Sequence, residues 1–150
     1  MHRRMSDELD TRYLETLLGY NTRRAALTII SRFMERMAAY DLRPVDFSVL
    51  SLIGHNPGIT SRQLCSALNI LPPNLVGLLK DIEKRQLIVR SPHPTDGRAM
   101  GLSLTAKGKT LMQEAEATAL ASDLSAAAAL TPSEIKTLTR LLQKIYLAPT

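Results

Sequence analysis

One cysteine, Cys65, is all the thiol this sequence carries. That excludes an internal disulfide and suits a reducing compartment. Long apolar runs are also missing: nothing approaches the roughly 18 uninterrupted apolar residues that a membrane span requires. Residues 1–8 are charged with no apolar run behind them, unlike a secretory signal, so the expectation is a cytoplasmic protein with no membrane partner. The histidines, His2, His55 and His93, are scattered, and Cys65 has no second cysteine near it, so no metal-ligand spacing exists. There is no Gly-x-Ser-x-Gly elbow, phosphate loop or dinucleotide fingerprint, and no internal repeat. These absences predict a non-enzyme without a cofactor or metal.

What is present is a chain of 150 residues, 45% hydrophobic, enough for one packed domain and little more. The formal charge is +5, unevenly spread. Residues 71–109 hold seven basic and three acidic side chains, whereas residues 110–150 hold three basic and four acidic ones. A positive field confined to one segment fits a surface that meets a polyanion.

Apolar spacing and punctuation predict six helices and one hairpin. Residues 10–40 contain no proline, and Leu14, Leu17, Leu18, Ala26, Ile29, Ile30, Phe33 and Met37 recur at helical spacing. Arg43-Pro44 resets the chain, and a short second helix carries Phe47, Leu50 and Ile53 up to the turn at 55–58. Thr60 and Gln63 have capping-box spacing and open a third helix. Pro72 and Pro73 suit the first turn of a fourth, whose buried stripe is Leu75, Leu78, Leu79 and Ile82. Leu87–Arg90 and Met100–Leu104 read as strands around an Asp96-Gly97 turn. Thr105 caps a fifth helix running to about Ala129, and Thr131 with Glu134 opens a sixth bearing Ile135, Leu138, Leu141, Leu142 and Ile145. The predicted fold is therefore mainly α with a small β-hairpin wing: a winged helix-turn-helix at 44–104, flanked by added helices at 10–40 and 105–147.

A major groove about 12 Å wide admits one helix whose first turns meet base edges. The outward face of the fourth helix, Pro73, Asn74, Val76, Gly77 and Lys80, has no side chain bulky enough to block approach. Asn74 suits adenine, Val76 a thymine methyl, and Lys80 phosphate or guanine. Thr60, Ser61 and Arg62, at the start of the third helix, complete the expected DNA-binding set with Arg90, His93 and Arg98 of the hairpin. An arginine on a protruding turn fits a narrow minor groove, and Asp96 is placed to orient Arg98. Cys65, beside Leu64, reads as a packing cysteine. The apolar stripe of the sixth helix, with Leu130 before it, exceeds what a domain of this size can cover, which predicts an interface involving Leu130, Ile135, Leu138, Leu142 and Ile145.

Residues 73–109, with Asp96-Gly97-Arg98 in the wing, the basic stretch 83–88 and the run 104–108, resemble the recognition helix, wing and following helix start of the MarR family. The helical layout extends the similarity over nearly the whole chain. Two positions depart from the family pattern: Gly77 stands where a basic or polar reader is common, and Gln86 where glycine is usual. The resemblance implies a homodimeric transcription regulator on a pseudo-palindromic DNA operator, acting as a repressor released by a small aromatic acid, with 10–40 and 105–147 as its dimerisation helices and Leu14 and Leu17 of the first helix in the interface. Residues 18–24 and 74–78 look like the branch that governs breakdown of hydroxycinnamates and hydroxynicotinates. The ligand would lie between the first helix and the winged domain, with Tyr20, Arg24, Phe47 and His55 as its candidate contacts. For three of these the alternative is structural: Tyr20 and Phe47 as core, Arg24 as a surface or dimer ion pair. Two other functions stay open on the residues alone, a ligand-independent architectural DNA-binding protein and a winged-helix protein–protein adaptor.

Overall fold

A computed structural model describes residues 9–95 and 97–147. Six helices and a three-stranded antiparallel sheet make up the chain: α1 Leu18–Met37, α2 Pro44–His55, β1 Ile59–Thr60, α3 Ser61–Leu68, α4 Pro72–Lys84, β2 Ile88–Pro92, β3 Met100–Leu104, α5 Ala106–Ala126 and α6 Pro132–Tyr146. The strand order is β1-β3-β2, so the short β1, which the apolar pattern did not announce, pairs with the returning strand of the hairpin. Gly58 adopts φ 89°, a conformation that favours glycine, and its N–H donates to the Leu102 carbonyl at 2.8 Å.

The expected helix over 10–40 is shorter than its apolar spacing suggests. Leu17 is extended, separating a 3-10 turn at Leu14–Thr16 from α1. The Asn21 amide donates to the carbonyls of Glu15 and Leu17, both at 2.8 Å, and so holds the break closed. At the other end α1 tightens into a second 3-10 turn, Ala38–Tyr40, and stops at Asp41 in the left-handed region. The fifth helix likewise ends at Ala126, three residues early.

The core lies where α2, α3 and α4 meet the sheet and the near end of α5. Met37, Val49, Leu50, Ile53, Leu64, Leu75, Leu79, Ile82, Leu87 and Leu102 are essentially inaccessible. Burial of each such side chain stabilises by about 1.5–3 kcal/mol relative to exposure. α1 lies along α5, which carries Met112, Ala115 and Ser122 inward. α6 differs: it has no extensive contact with any other element of the chain among the described residues, and none of its side chains is buried. Leu138, Leu142 and Ile145 face solvent, as do Leu14 and Leu17, while Leu130 and Ile135 are half-buried. No helix among the described residues is long and apolar enough to cross a membrane.

Two local arrangements lead to stability predictions. Burial by itself would raise the Asp46 carboxyl, but Arg43 outweighs it and holds the group below the ordinary carboxylate range. The contacts are Nε at 3.0 Å, Nη2 at 2.9 Å and the backbone N–H at 2.9 Å. A depressed carboxylate contributes stability above its unfolded value and loses it as pH falls through the folded one. Arg43→Ala is expected to destabilise by roughly 1 kcal/mol at neutral pH, a modest figure because Arg43 is largely exposed. In urea melts the gap from wild type should begin to narrow below about pH 4, where Asp46 protonates in the unfolded chain, and close as pH falls through the lower folded value. Gln86, in turn, sits at φ 61°, which explains why glycine suits this position. Left-handed backbone costs a side-chain-bearing residue on the order of 1 kcal/mol. Gln86→Gly should therefore raise the unfolding free energy by about 0.5–1 kcal/mol, and a lowered urea midpoint would count against strain there.

Candidate nucleic-acid interface

α3 begins at a reciprocal cap: Gln63 N–H donates to the Thr60 hydroxyl at 3.2 Å, and Thr60 N–H to Gln63 Oε1 at 3.0 Å. The helix stops at Asn69, left-handed at φ 52°, with the N–H groups of Asn69 and Ile70 both returning to the Cys65 carbonyl. The chain then turns through an extended Leu71 into Pro72 and Pro73, whose missing N–H groups are no loss in a first helical turn. This tight connection sets α4 across α3, with Leu75, Leu78, Leu79 and Ile82 buried beneath it.

The opposite face of α4 is open. Pro73, Asn74, Val76, Gly77 and Lys80 are all exposed, Val76 by half its surface, and nothing lies within 4 Å of where a Gly77 Cβ would stand. A side chain larger than glycine would thus be tolerated by the protein itself. A cleft of about 500 Å³ runs between α3 and α4 and gathers Ser61, Arg62, Val76, Lys80 and Arg90, with the half-buried Cys65 at its floor. Three cations therefore border the α4 face on one side. On the other side Asn74 and Gly77 border a second cleft with Arg43, Asn69 and Asp81.

The remaining candidates are placed differently. Thr60 uses its hydroxyl in the α3 cap, so it shapes the helix start. Arg90, on β2, forms an ion pair with Glu83 of α4, which ties the hairpin to the helix. The spacing of seven residues across a helix-to-strand boundary gave no sign of that pair. His93 lies at the base of the wing: its N–H donates to the Ala99 carbonyl at 3.0 Å, and its ring takes the Thr95 N–H at 3.3 Å. Its ring borders a cleft with Asn56, Gly58 and Gln63. Arg98 is exposed on the turn before β3. The orienting role expected of Asp96 lies outside the described residues.

The four ligand candidates do not converge within one chain. Tyr20 is half-buried and Arg24 exposed, both toward the start of α1. Phe47 of α2 packs edge-on against Phe33, ring centroids 5.1 Å apart and planes at 78°. Phe33 is thirteen residues beyond Tyr20, roughly 20 Å along the helix axis. His55 Nε2 stands 2.9 Å from Glu116 of α5, and the same carboxylate oxygen accepts from the Ser51 hydroxyl at 2.9 Å. Ser51 and Glu116, absent from the sequence-based set, thus join the winged core to α5. At a separation of 65 positions, no local pattern could have paired them.

The sequence model of the MarR family matches residues 40–99, which run from the 3-10 turn after α1 to the turn before β3. A candidate transcriptional regulatory protein for the hcr operon of Thauera aromatica is 28% identical over 130 residues, 86% of this chain and 78% of that protein. Among solved structures, the transcriptional repressor CouR bound to a 23-mer DNA duplex superposes with a TM-score of 0.86 at 33% identity, covering 93% of this chain and 99% of CouR. BpsR of Bordetella bronchiseptica, described with regulation of its DNA binding by 6-hydroxynicotinic acid, has a TM-score of 0.80 at 24% identity over 89% of this chain and 95% of its own. At that identity the likeness to BpsR is one of fold.

Proposed function

The chain belongs to the MarR family of winged helix-turn-helix transcription regulators, and on that premise we propose that it is a homodimeric, sequence-specific repressor released from DNA by a small aromatic acid. The observation that carries this reading is the unobstructed face of α4, flanked by Arg62 and Lys80 and followed by a wing bearing Arg98. α4 enters the major groove, where Asn74 and Val76 meet base edges and Lys80 meets phosphate or guanine. Arg62 and Ser61 steady the backbone beside it, and Arg98 reaches the minor groove. Arg90, paired with Glu83, acts mainly by holding the wing to α4.

Two copies are required to present two such helices to a pseudo-palindrome, with half-sites about one helical turn apart. The uncovered stripe of α6 with Leu14 and Leu17 supplies the interface. Nothing in this scheme calls for catalysis. For the effector, the support is the fold shared with BpsR and the position of Arg24, an exposed cation on α1 suited to a carboxylate.

Fluorescence anisotropy on the protein's own upstream DNA and on scrambled duplexes, across a salt series, tests the DNA reading. Asn74→Ala should lower affinity for the specific duplex by about 1–3 kcal/mol per half-site and leave scrambled binding nearly unchanged. Arg98→Ala should weaken both and flatten the salt slope by up to about one to two units per dimer. An Arg98→Ala protein that binds both duplexes like wild type would overturn the wing assignment. For the effector, salicylate, p-coumarate and 6-hydroxynicotinate are the probes. At least one should release the specific duplex, and Arg24→Ala should weaken that release while sparing DNA affinity. Equal loss of both would make Arg24 structural.

A further inference from the structure

Arg85 belongs to the basic segment that the charge pattern assigns to DNA, yet its guanidinium points the other way. It stands just past the end of α4, and its two terminal N–H groups reach the end of α1: Nη1 donates to the Asp41 carbonyl at 2.8 Å and Nη2 to the Tyr40 carbonyl at 2.9 Å. Asp41 is left-handed, φ 52°, which closes the turn after α1. The Tyr40 side chain continues the path, its hydroxyl 2.9 Å from the Thr118 hydroxyl of α5. One line of hydrogen bonds therefore runs from α5 through Tyr40 and Arg85 to the base of α4.

We propose that Arg85 is a positioning residue that fixes the tilt of α4 against the dimer-forming helices, and so sets the separation of the two DNA-reading helices without touching DNA. This rests on the DNA-binding dimer described above. The planar fork of arginine can engage two neighbouring carbonyls at once, whereas a lysine ammonium on its flexible stem offers no such fixed pair. The lever arm makes the position sensitive. Asn74 is eleven residues from Arg85, roughly 16 Å along the helix, so a tilt of about 10° at the Arg85 end moves Asn74 by almost 3 Å. A hydrogen bond to a base tolerates only a few tenths of an ångström. Specific binding would then fail while the loose electrostatic attraction to any duplex persists.

The test uses the full-length protein, wild type, Arg85→Ala and Arg85→Lys, with duplexes that the wild type enriches from a random library. Each enriched duplex is also made with one base pair added between its half-sites. Anisotropy is measured on both forms and on random duplex across a salt series, with melting and light scattering run alongside. Arg85→Ala is expected to lose roughly three- to tenfold on the enriched duplex, the scale of a hydrogen bond or two, with random binding and salt slope unchanged. The penalty that wild type shows for the added base pair should shrink in Arg85→Ala, and Arg85→Lys should fall between. If Arg85→Ala does not fold, the spacing penalty of Arg85→Lys decides alone. An unchanged spacing penalty in the folded variants overturns the proposal. So does equal loss on specific and random duplexes with the slope reduced by about one to two units, which would make Arg85 a phosphate contact. Failure of the wild type to enrich any duplex would instead overturn the DNA-binding reading itself, and the positioning role with it.

Discussion

Everything that points α4 outward depends on the corner where that helix hands over to β2. Three successive carbonyls there accept hydrogen bonds from the start of α5: Arg85 from the Lys107 ammonium at 3.0 Å, Gln86 from the Thr105 hydroxyl at 2.7 Å, and Leu87 from the Thr105 N–H at 3.0 Å. The last turn of α4 closes on itself, Gln86 N–H on the Glu83 carbonyl at 2.9 Å and Leu87 N–H on the Ile82 carbonyl at 3.3 Å, so these three carbonyls belong to the chain leaving it. The fit is close enough that a Cβ on Gly108 would collide with the Leu87 carbonyl oxygen. The left-handed Gln86 is the bend this closeness demands. The chain leaving one helix is thus held by the beginning of another, and neither can shift alone.

A second consequence concerns how the winged core is attached. Its buried side chains are almost entirely aliphatic, and aliphatic contacts do not specify direction. Met37, Phe33 and Met112 bring α1 and α5 onto that core by apolar packing, and the directional contacts beside them are polar: Arg85 on two carbonyls, and Ser51 with His55 on Glu116. Hydrogen bonds are directional, so a few of them fix an orientation that oily packing leaves open. Stability and orientation are supplied by different residues in this molecule.

Most of the architecture was legible because it was written locally. Capping residues Thr60, Thr105 and Thr131 sit three residues before their amide partners, and the stripe of α4 repeats at helical spacing. The exposed face of α4 followed directly from that stripe. The break at Leu17 was hidden because Asn21 holds it with bonds that reach back four and six residues, leaving the apolar spacing intact across it. β1 was hidden because two residues carry no periodicity. Arg85 and Arg90 looked alike as charges. Only their partners separate them from a DNA contact, and Tyr40 and Asp41 lie more than forty residues from Arg85 in the chain.

α6 carries Leu138, Leu142 and Ile145 where no other element among the described residues packs extensively against them. If a second copy covers them, folding and association share one free energy, and mass action governs both. Occupancy of the operator then varies with a power of the total protein above one, so a modest fall in expression empties the site more steeply than a monomer would. Below the dissociation concentration the released chains expose leucines that proteolysis and aggregation act upon, so the molecule is cleared and not stored. The length of one uncovered helix thereby sets both how sharply the regulator responds to its own abundance and how briefly it outlasts its synthesis.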